Sequence, residues 1–486
     1  MIIFLHPRAT STRSRRFPLS ILALAAVVEG REDYAIVDGN VDPDPGSTLE
    51  GILRENPVEL LAVSVMPGPQ MVAAIPLCRE FKTKHPSIPI VWGGYFASLY
   101  PDAALNAGYV DYVVRGQGED TFTELIAAIR GSKDFCAICG LSYKEGSGRH
   151  IHNPDRPLRS PDDYPWYPYH RLDASKYILP TFLGSRTAVH QASIGCPFRC
   201  NFCGVVPVFD REKAESPERT AAILGFLRER LGVNAIQFYD NNFFLREDHT
   251  RELADRLIPH GLRWWCEGRI DTVLGYSDET LSALKRAGAS MIFFGAESGS
   301  NWVLEQMNKK LKAEQTLALA ERIRKFGITP EFSFVLGNPQ DPERDVRESV
   351  SFIRKLKKIN PSAEIIIQHY IPVPQRAGMY GKVEGQIQFP TTPEGWATER
   401  WYNFTIRKDP QLPWLPERIR RRIDSFELVV NSRWPTVQDI RLPAWGRALL
   451  KSLSSWRYSF GLYGRPLELK WVQRAMELRK PKVESL

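Results

Sequence analysis

Short apolar runs alternate with amphipathic stretches twice along this chain, and that rhythm leaves few ways to fold. Over residues 1–145 the apolar runs are Ile2 to Leu5, Tyr34 to Asp38, Leu60 to Val65, Ile88 to Trp92 and Tyr112 to Val114. Helical patterns separate them at Leu19 to Glu29, Met71 to Lys84 and Thr121 to Ile129. Strands that alternate with helices pair in parallel and are covered on both faces, so this part is predicted to be a doubly wound, Rossmann-like α/β sheet. Ligands of such sheets bind beyond the carboxyl ends of the strands.

The second round begins near Thr187, where Ala188 to Ser193 reads as a strand. Strands follow at Ala235 to Tyr239, Arg263 to Glu267, Met291 to Gly295, Phe332 to Leu336 and Ile365 to Tyr370. Helices at Ala221 to Arg230, Thr250 to Leu257 and Glu279 to Ala287 lie between them, which is the period of a β/α barrel. Residues 146–185 divide the two rounds. Pro154, Pro157, Pro161, Pro165, Pro168 and Pro180, with Tyr164, Trp166, Tyr167 and Tyr169, forbid a regular helix there and predict an extended linker.

The chemistry concentrates in one loop, Gly195-Cys196-Pro197-Phe198-Arg199-Cys200-Asn201-Phe202-Cys203-Gly204. Three thiolates spaced CxxxCxxC can hold three irons of a four-iron cubane and leave the fourth iron without a protein ligand. An open metal position is where a substrate binds. A zinc knuckle is the alternative, but zinc wants a fourth Cys or His at short spacing, and the nearest histidine, His190, precedes the triplet. Seven cysteines with three committed to one loop argue for a reducing compartment rather than a disulfide framework. Cys136 and Cys139 form a CxxC, read as part of a short strand over Ile138 to Tyr143 with Cys139 a small buried hydrophobe.

The triplet, its Gly-Cys-Pro opening and the aromatic Phe202 resemble the cluster loop of the radical S-adenosylmethionine (SAM) enzymes, whose fold is a partial (β/α)6 barrel. The resemblance implies a [4Fe-4S] cluster on Cys196, Cys200 and Cys203, with the open iron chelating SAM and an electron releasing a 5′-deoxyadenosyl radical. It implies SAM contacts at the strand ends: Phe202 in the loop, Asp240 and Asn241 as acceptors for the amino group, Arg269 on the carboxylate, Glu297 on the ribose, Ser298 beside it and Gly337 near the adenine. Asn242 reads equally well as an Asx turn. Gly295-Ala296-Glu297-Ser298-Gly299-Ser300 with Met307-Asn308-Lys309-Lys310 downstream resembles a subfamily signature, and Gly337-Asn338-Pro339 and Pro372-Val373-Pro374 match in position.

Gly93, Gly94, Gly116, Gln117 and Gly118 sit in turns that each follow a strand and open a helix. Their order is similar to the cobalamin-binding domain that precedes the barrel in one large radical SAM subfamily, which implies cobalamin there. No Asp-x-His-x-x-Gly motif is present, so no histidine ligand below the cobalt is indicated, and His6 reads as a turn residue. The resemblance spans roughly residues 1–380. It implies a methyltransferase acting on an unactivated carbon, with a cyclase like the anaerobic magnesium-protoporphyrin monomethyl ester cyclase, or a non-enzymatic ligand-binding protein, as alternatives. It also implies a small-molecule substrate and an electron donor such as flavodoxin or ferredoxin.

The expected division is 1–145 cobalamin domain, 146–185 linker, 186–385 barrel and 386–486 helical cap. Arg13-Ser14-Arg15-Arg16 before an apolar run imitates a targeting signal, but the run is short and Ile2 to Leu5 already reads as a strand, so a cytoplasmic protein is expected. No stretch is long and apolar enough to span a membrane. Charge is uneven: residues 401–486 hold 17 Lys and Arg against 8 Asp and Glu, while the rest of the chain is near neutral. Six of the 12 tryptophans fall there as well: Trp401, Trp414, Trp434, Trp445, Trp456 and Trp471. Basic charge with aromatics marks a peripheral membrane contact around Ala448 to Tyr463 or a site for an anionic substrate; the plainer reading, and the preferred one, is a lid packed on the barrel with a solvated basic face. Nucleic acid is not expected, because no binding module accompanies the charge.

Overall fold

The computed structural model describes residues 1–486 apart from Arg13, Ser147, Asp210, 374–378, 408–410, 436–443 and 476–486. Pro374 of the Pro372-Val373-Pro374 match therefore lies outside the described residues. The chain folds into two parallel sheets and a C-terminal set of helices. Strands β1 (Ile2–His6), β2 (Tyr34–Asp38), β3 (Leu60–Ser64), β4 (Ile90–Gly93) and β5 (Tyr112–Val114) are parallel in the order β2-β1-β3-β4-β5. Because β1 pairs with both β2 and β3, the order of the strands reverses beside it while all five stay parallel. The near-continuous apolar runs follow from burial on both faces: Ile2, Ile3, Phe4 and Leu5 are each at most 1% exposed.

Two antiparallel strands extend this sheet, β6 (Leu141–Lys144) and β7 (His150–His152). The segment expected to be wholly linker thus begins as sheet, because Ile151 pairs with Tyr143 in an antiparallel ladder. The remainder, to residue 185, runs irregularly with three short turns of 3₁₀ helix. Cys139 corrects its expectation: it precedes β6 in a turn before Gly140, whose φ is +81°, and it is half-buried rather than buried, with Cys136 exposed. A helix over Pro45–Glu55 was not foreseen, although Asp44 caps it by accepting from Ser47 N at 3.1 Å and Pro45 opens it.

The second sheet has six parallel strands: β8 (Thr187–His190), β11 (Ala235–Phe238), β12 (Arg263–Gly268), β13 (Ala289–Glu297), β14 (Thr329–Leu336) and β15 (Glu364–His369), in that spatial order. A separate hairpin, β9 (Ser193–Gly195) with β10 (Glu212–Ala214), stands on the end of β8. Helices cover the outside. Pro217–Leu231 is capped by Ser216 and ended by left-handed Gly232, and Pro342–Ile359 is capped by Asp341.

The C-terminal region does more than lid the barrel. Trp396 packs edge-on against Phe96 at 5.7 Å and against Tyr100 at 4.5 Å, and Glu394 accepts from Arg79 and Tyr109, so this stretch docks on the N-terminal sheet unit. Farther on, Glu417–Arg433 packs on β15, where His369 meets Asp424 at 3.2 Å. The basic loop after β1 also bridges the halves, since Arg16 Nε donates to Gln237 Oε1 of β11 at 3.1 Å.

Candidate active site between the two sheets

The cysteine loop is the tip of the β9–β10 hairpin, whose stem pairs Gly195 with Glu212 and Ser193 with Ala214. Gly195 has φ +81°, and a Cβ there would collide with the carbonyl of Arg211, so the stem can close only with glycine. Cys200 is buried, Cys196 and Cys203 are half-buried, and Cys203 N donates to Cys200 O at 3.2 Å. The loop is clamped from below by the Met307-Asn308-Lys309-Lys310 turn. Asn201 donates from N to Met307 O and from Nδ2 to Gln306 O, and Asn308 Nδ2 donates to Arg199 O. Asn308 and Lys310 are left-handed to make that turn, which gives the downstream signature its physical reason.

Burial pushes the Cys203 thiol up to about 11, with Cys200 and Cys196 adding to the shift, so the three sulfurs share one environment. Among the described residues no three His, Cys, Asp or Glu side chains converge on a single ion position. A cubane suits such a loop better than a single zinc, because each thiolate then binds a different iron. His190 is engaged through one ring nitrogen. Its Nε2 pairs with Glu215 at 2.9 Å inside the fold.

Most of the side chains expected to meet SAM are already engaged by protein. Asp240 accepts from Ser193 Oγ at 2.6 Å and from Ala192 N at 3.3 Å, and burial pushes its carboxyl up to about 7; it ties the end of β11 to the cysteine hairpin. Arg269 holds Asp271 with both arms of its guanidinium (3.0 and 2.7 Å), donates to Lys309 O at 2.7 Å and points Nη1 at Cys200 Sγ, 3.6 Å away, while stacking over Phe198. The fork expected on a carboxylate of SAM thus grips the cysteine loop instead. Glu297, left-handed at the end of β13, is ion-paired with Lys309 at 2.7 Å, and both are buried. Lys309 also lies 5.8 Å above the Phe202 ring.

Ser298 is fully buried and donates to Asp345 at 2.9 Å. Asp345, which no sequence motif marked, accepts from Gly337 N and Asn338 N through its other oxygen, so one carboxyl joins the ends of β13 and β14. Burial pushes it up to about 6. Gly337 has φ +95° and lies under Leu415 of the C-terminal region.

Asn241 is exposed, whereas its neighbour Asn242 is 1% exposed with Oδ1 unpartnered; Asn338 is likewise buried with Nδ2 unpartnered. An orphan acceptor beyond the end of β11 and an orphan donor beyond the end of β14 fit a polar ligand such as SAM. Arg407, from the C-terminal region, hydrogen-bonds Gln368 of β15 and lies in electrostatic reach of Glu297, Tyr95 and Cys203. Sequence reasoning had no signal for it, because it arrives from a distant loop.

Gly93, Gly94, Gly116, Gln117 and Gly118 all line one cavity of about 260 Å³ beyond the N-terminal strand ends. Gly94 has φ +91°, and a Cβ would stand 3.0 Å from both N and O of Val65. Ser98 joins the two turns, donating to Gly94 O and accepting from Gly116 N. Gln117 differs from expectation in detail: its amide is spent on both backbone groups of Arg159. Ser20 and Ser64, 2.9 Å apart at the ends of the first helix and β3, complete the wall and had carried no motif. A cradle of backbone turns with hydroxyls fits a large polar cofactor. His6 faces Asp38 and Asn40, within the fold. The cavity also takes walls from the barrel side, Gln191, Ser193, Ile194 and Phe209, so the two sites adjoin. Tyr95, next to Gly94, sets its hydroxyl against Gly204, next to Cys203.

Comparison with known proteins agrees with this layout. The family model of the radical SAM superfamily matches residues 191–353, and that of the B12 binding domain matches residues 6–126. An uncharacterized methyltransferase of Pyrococcus horikoshii is 29% identical over 344 residues, covering 70% of this chain and 73% of that protein. The anaerobic magnesium-protoporphyrin IX monomethyl ester cyclase of Rubrivivax gelatinosus is 24% identical over 280 residues, 56% of this chain and half of the cyclase. Among solved structures, the radical SAM methyltransferase TsrM of Kitasatospora setae, with cobalamin and a [4Fe-4S] cluster bound, superposes with a TM-score of 0.65 at 16% identity over 98% of both chains, which shows a common fold. The two domains bring a [4Fe-4S] cluster, SAM and cobalamin as cofactors. One chain thus joins a B12 binding domain at residues 6–126 to a radical SAM domain at residues 191–353, and the protein is a radical SAM enzyme that carries a B12-binding domain.

Proposed function

We propose that this enzyme is a methyltransferase that adds a methyl group to an unactivated carbon of a small molecule. The observation that carries the reading is the abutment of the two sites, with the Tyr95 hydroxyl against the cysteine loop and a shared cavity wall. When bound, the three cofactors supply a radical that removes a substrate hydrogen and a methyl group for the carbon left behind. The work of the chain is to hold these groups face to face and to keep water out.

Cys196, Cys200 and Cys203 are the metal ligands in this reading, and Arg269 and the Met307–Lys310 turn fix their loop. Phe202, Asn241, Glu297 and Gly337 frame the SAM site with Asn242 and Asn338, while Asp240 and Ser298 position strand ends. Gly93, Gly94, Gly116 and Gly118 bring backbone close to cobalamin, and Gln117 fixes its turn through Arg159. Residues 1–145 with β7 form the cobalamin unit, 186–385 the barrel and 386–486 the cover. A low-potential donor such as flavodoxin or ferredoxin feeds the cluster, the enzyme works in the cytoplasm, and its basic C-terminal region touches a membrane surface. No described helix is long and apolar enough to cross a membrane.

The reading predicts that reconstituted, reduced protein cleaves SAM slowly to 5′-deoxyadenosine without substrate, and that with substrate S-adenosylhomocysteine appears in comparable amount. Deoxyadenosine without S-adenosylhomocysteine, and a product with no added mass, would overturn it. The similarity to the magnesium-protoporphyrin cyclase supports that second outcome, ring closure without methyl transfer.

A further inference from the structure

The C-terminal helices present large apolar side chains to solvent beside the exposed basic ones that their composition led one to expect. Of the nine large apolar side chains exposed among the described residues, seven lie between 445 and 471. On the helix Ala444–Phe460, Trp445, Leu449, Trp456 and Phe460 fall within about 60° of arc at 3.6 residues per turn. Their exposures run from 39% for Leu449 to 77% for Phe460. The opposite side is packed, with Leu450, Ser454 and Tyr458 buried and Tyr458 edge-on to Trp434 at 4.7 Å. The next helix, Leu467–Ala475, adds Leu467 at 66% and Trp471 at 71%, and is tied to the first through Arg457 and Glu468.

A soluble surface seldom clusters so many large apolar groups without a partner. The charge around them chooses the partner. Residues 444–475 hold six Lys and Arg against a single Glu, and that Glu is neutralised by Arg457; Arg447, Lys451, Arg465 and Lys470 are exposed. Tryptophan and phenylalanine on one face, with cations around them, suit the headgroup layer of an anionic bilayer.

We infer that the face formed by Trp445, Leu449, Trp456, Phe460, Leu467 and Trp471 docks the enzyme on an anionic phospholipid surface. This sharpens the membrane contact named above and is independent of the chemistry in the barrel. The aromatics enter the interface, the surrounding Lys and Arg bind lipid phosphates, and the helices lie along the surface, since neither is long enough to cross it.

The test is co-sedimentation of the full chain, loaded with its cofactors, with vesicles of phosphatidylcholine alone or mixed with phosphatidylglycerol. Binding to the mixed vesicles only, weakened by high salt, is expected. The exposed triple variant Trp445→Ser, Trp456→Ser, Phe460→Ser should lose roughly tenfold in binding while keeping its melting temperature and SAM cleavage. A second variant, Arg447→Glu with Lys451→Glu, should lose the preference for anionic lipid. No binding to either vesicle, or equal binding to both, would overturn the inference. So would a lipid-free dimer that the triple variant abolishes, because the face would then belong to a second copy. SAM cleavage by the same samples reports on the barrel chemistry separately.

Discussion

The two halves of the active site were readable from sequence in opposite ways. On the barrel side the motif residues are side chains, and the structure shows most of them engaged with one another: Arg269 with Asp271 and the cysteine loop, Glu297 with Lys309, Ser298 with Asp345. On the N-terminal side the motif residues are chiefly glycines, and they line open space. The barrel motif builds a rigid frame whose free groups among the described residues include Asn242 Oδ1 and Asn338 Nδ2. The glycine motif marks the cradle itself. Substitutions in the frame should therefore disturb organisation as well as chemistry, and substitutions in the cradle should disturb binding more than organisation.

The largest effect should come from the cysteines. Replacing Cys196, Cys200 and Cys203 by Ala should abolish the iron–sulfur absorbance and all SAM cleavage, because the proposed reading makes these thiolates the protein ligands of the cluster. Cys136→Ala with Cys139→Ala should change neither. A cluster that survives the triple variant would break the account of the loop.

Next is Asp345→Ala, which strips partners from Ser298, Gly337 N and Asn338 N at once. A loss of about 3 kcal/mol in urea unfolding is expected, with SAM cleavage falling in parallel. Intact stability would show that the frame is not held by this carboxyl.

Gly94→Val tests the cradle. A positive φ at a β-branched residue costs on the order of 1–2 kcal/mol, and the new methyls meet the Val65 backbone, so cobalamin binding should weaken about tenfold or more. Urea stability should change less than for Asp345→Ala. The reverse ranking would erase the contrast between the halves.

The smallest effect concerns pH. Burial, with Glu331, Asp240 and Glu297 nearby, pushes the Glu267 carboxyl up to about 8. A carboxyl whose folded value is raised contributes stability below its unfolded value, and this is lost as pH climbs through the folded value. Glu267→Gln should therefore melt above wild type at pH 8, by roughly 2–4 °C for each kcal/mol gained, with the gap closing toward pH 5. A pH-independent difference would mean that Glu267 is held ionised.

The alternating rhythm made both sheets legible, since apolar runs buried on two faces leave a strong signal; β2 and β5 fall on the expected residues. The helix at Pro45 was missed because its face is weakly apolar, though Asp44-Pro45 marked its start. Strand β7 was hidden because a three-residue edge strand after a proline-poor turn resembles linker. Within the site, cysteines and glycines were found because their chemistry or conformation admits few alternatives. Asp345, Ser20, Ser64 and Arg407 were not, because common polar residues acquire roles only through contacts made across the fold.

The central claim, that cobalamin and SAM meet in one site for methyl transfer, is tested most directly with SAM carrying a deuterated methyl group. Reduced protein loaded with cobalamin and cluster should yield S-adenosylhomocysteine and methylcobalamin bearing the label, detected by mass. Gly94→Val should lower that yield while leaving 5′-deoxyadenosine formation intact. Deoxyadenosine formation with unlabelled cobalamin and no S-adenosylhomocysteine would contradict the account.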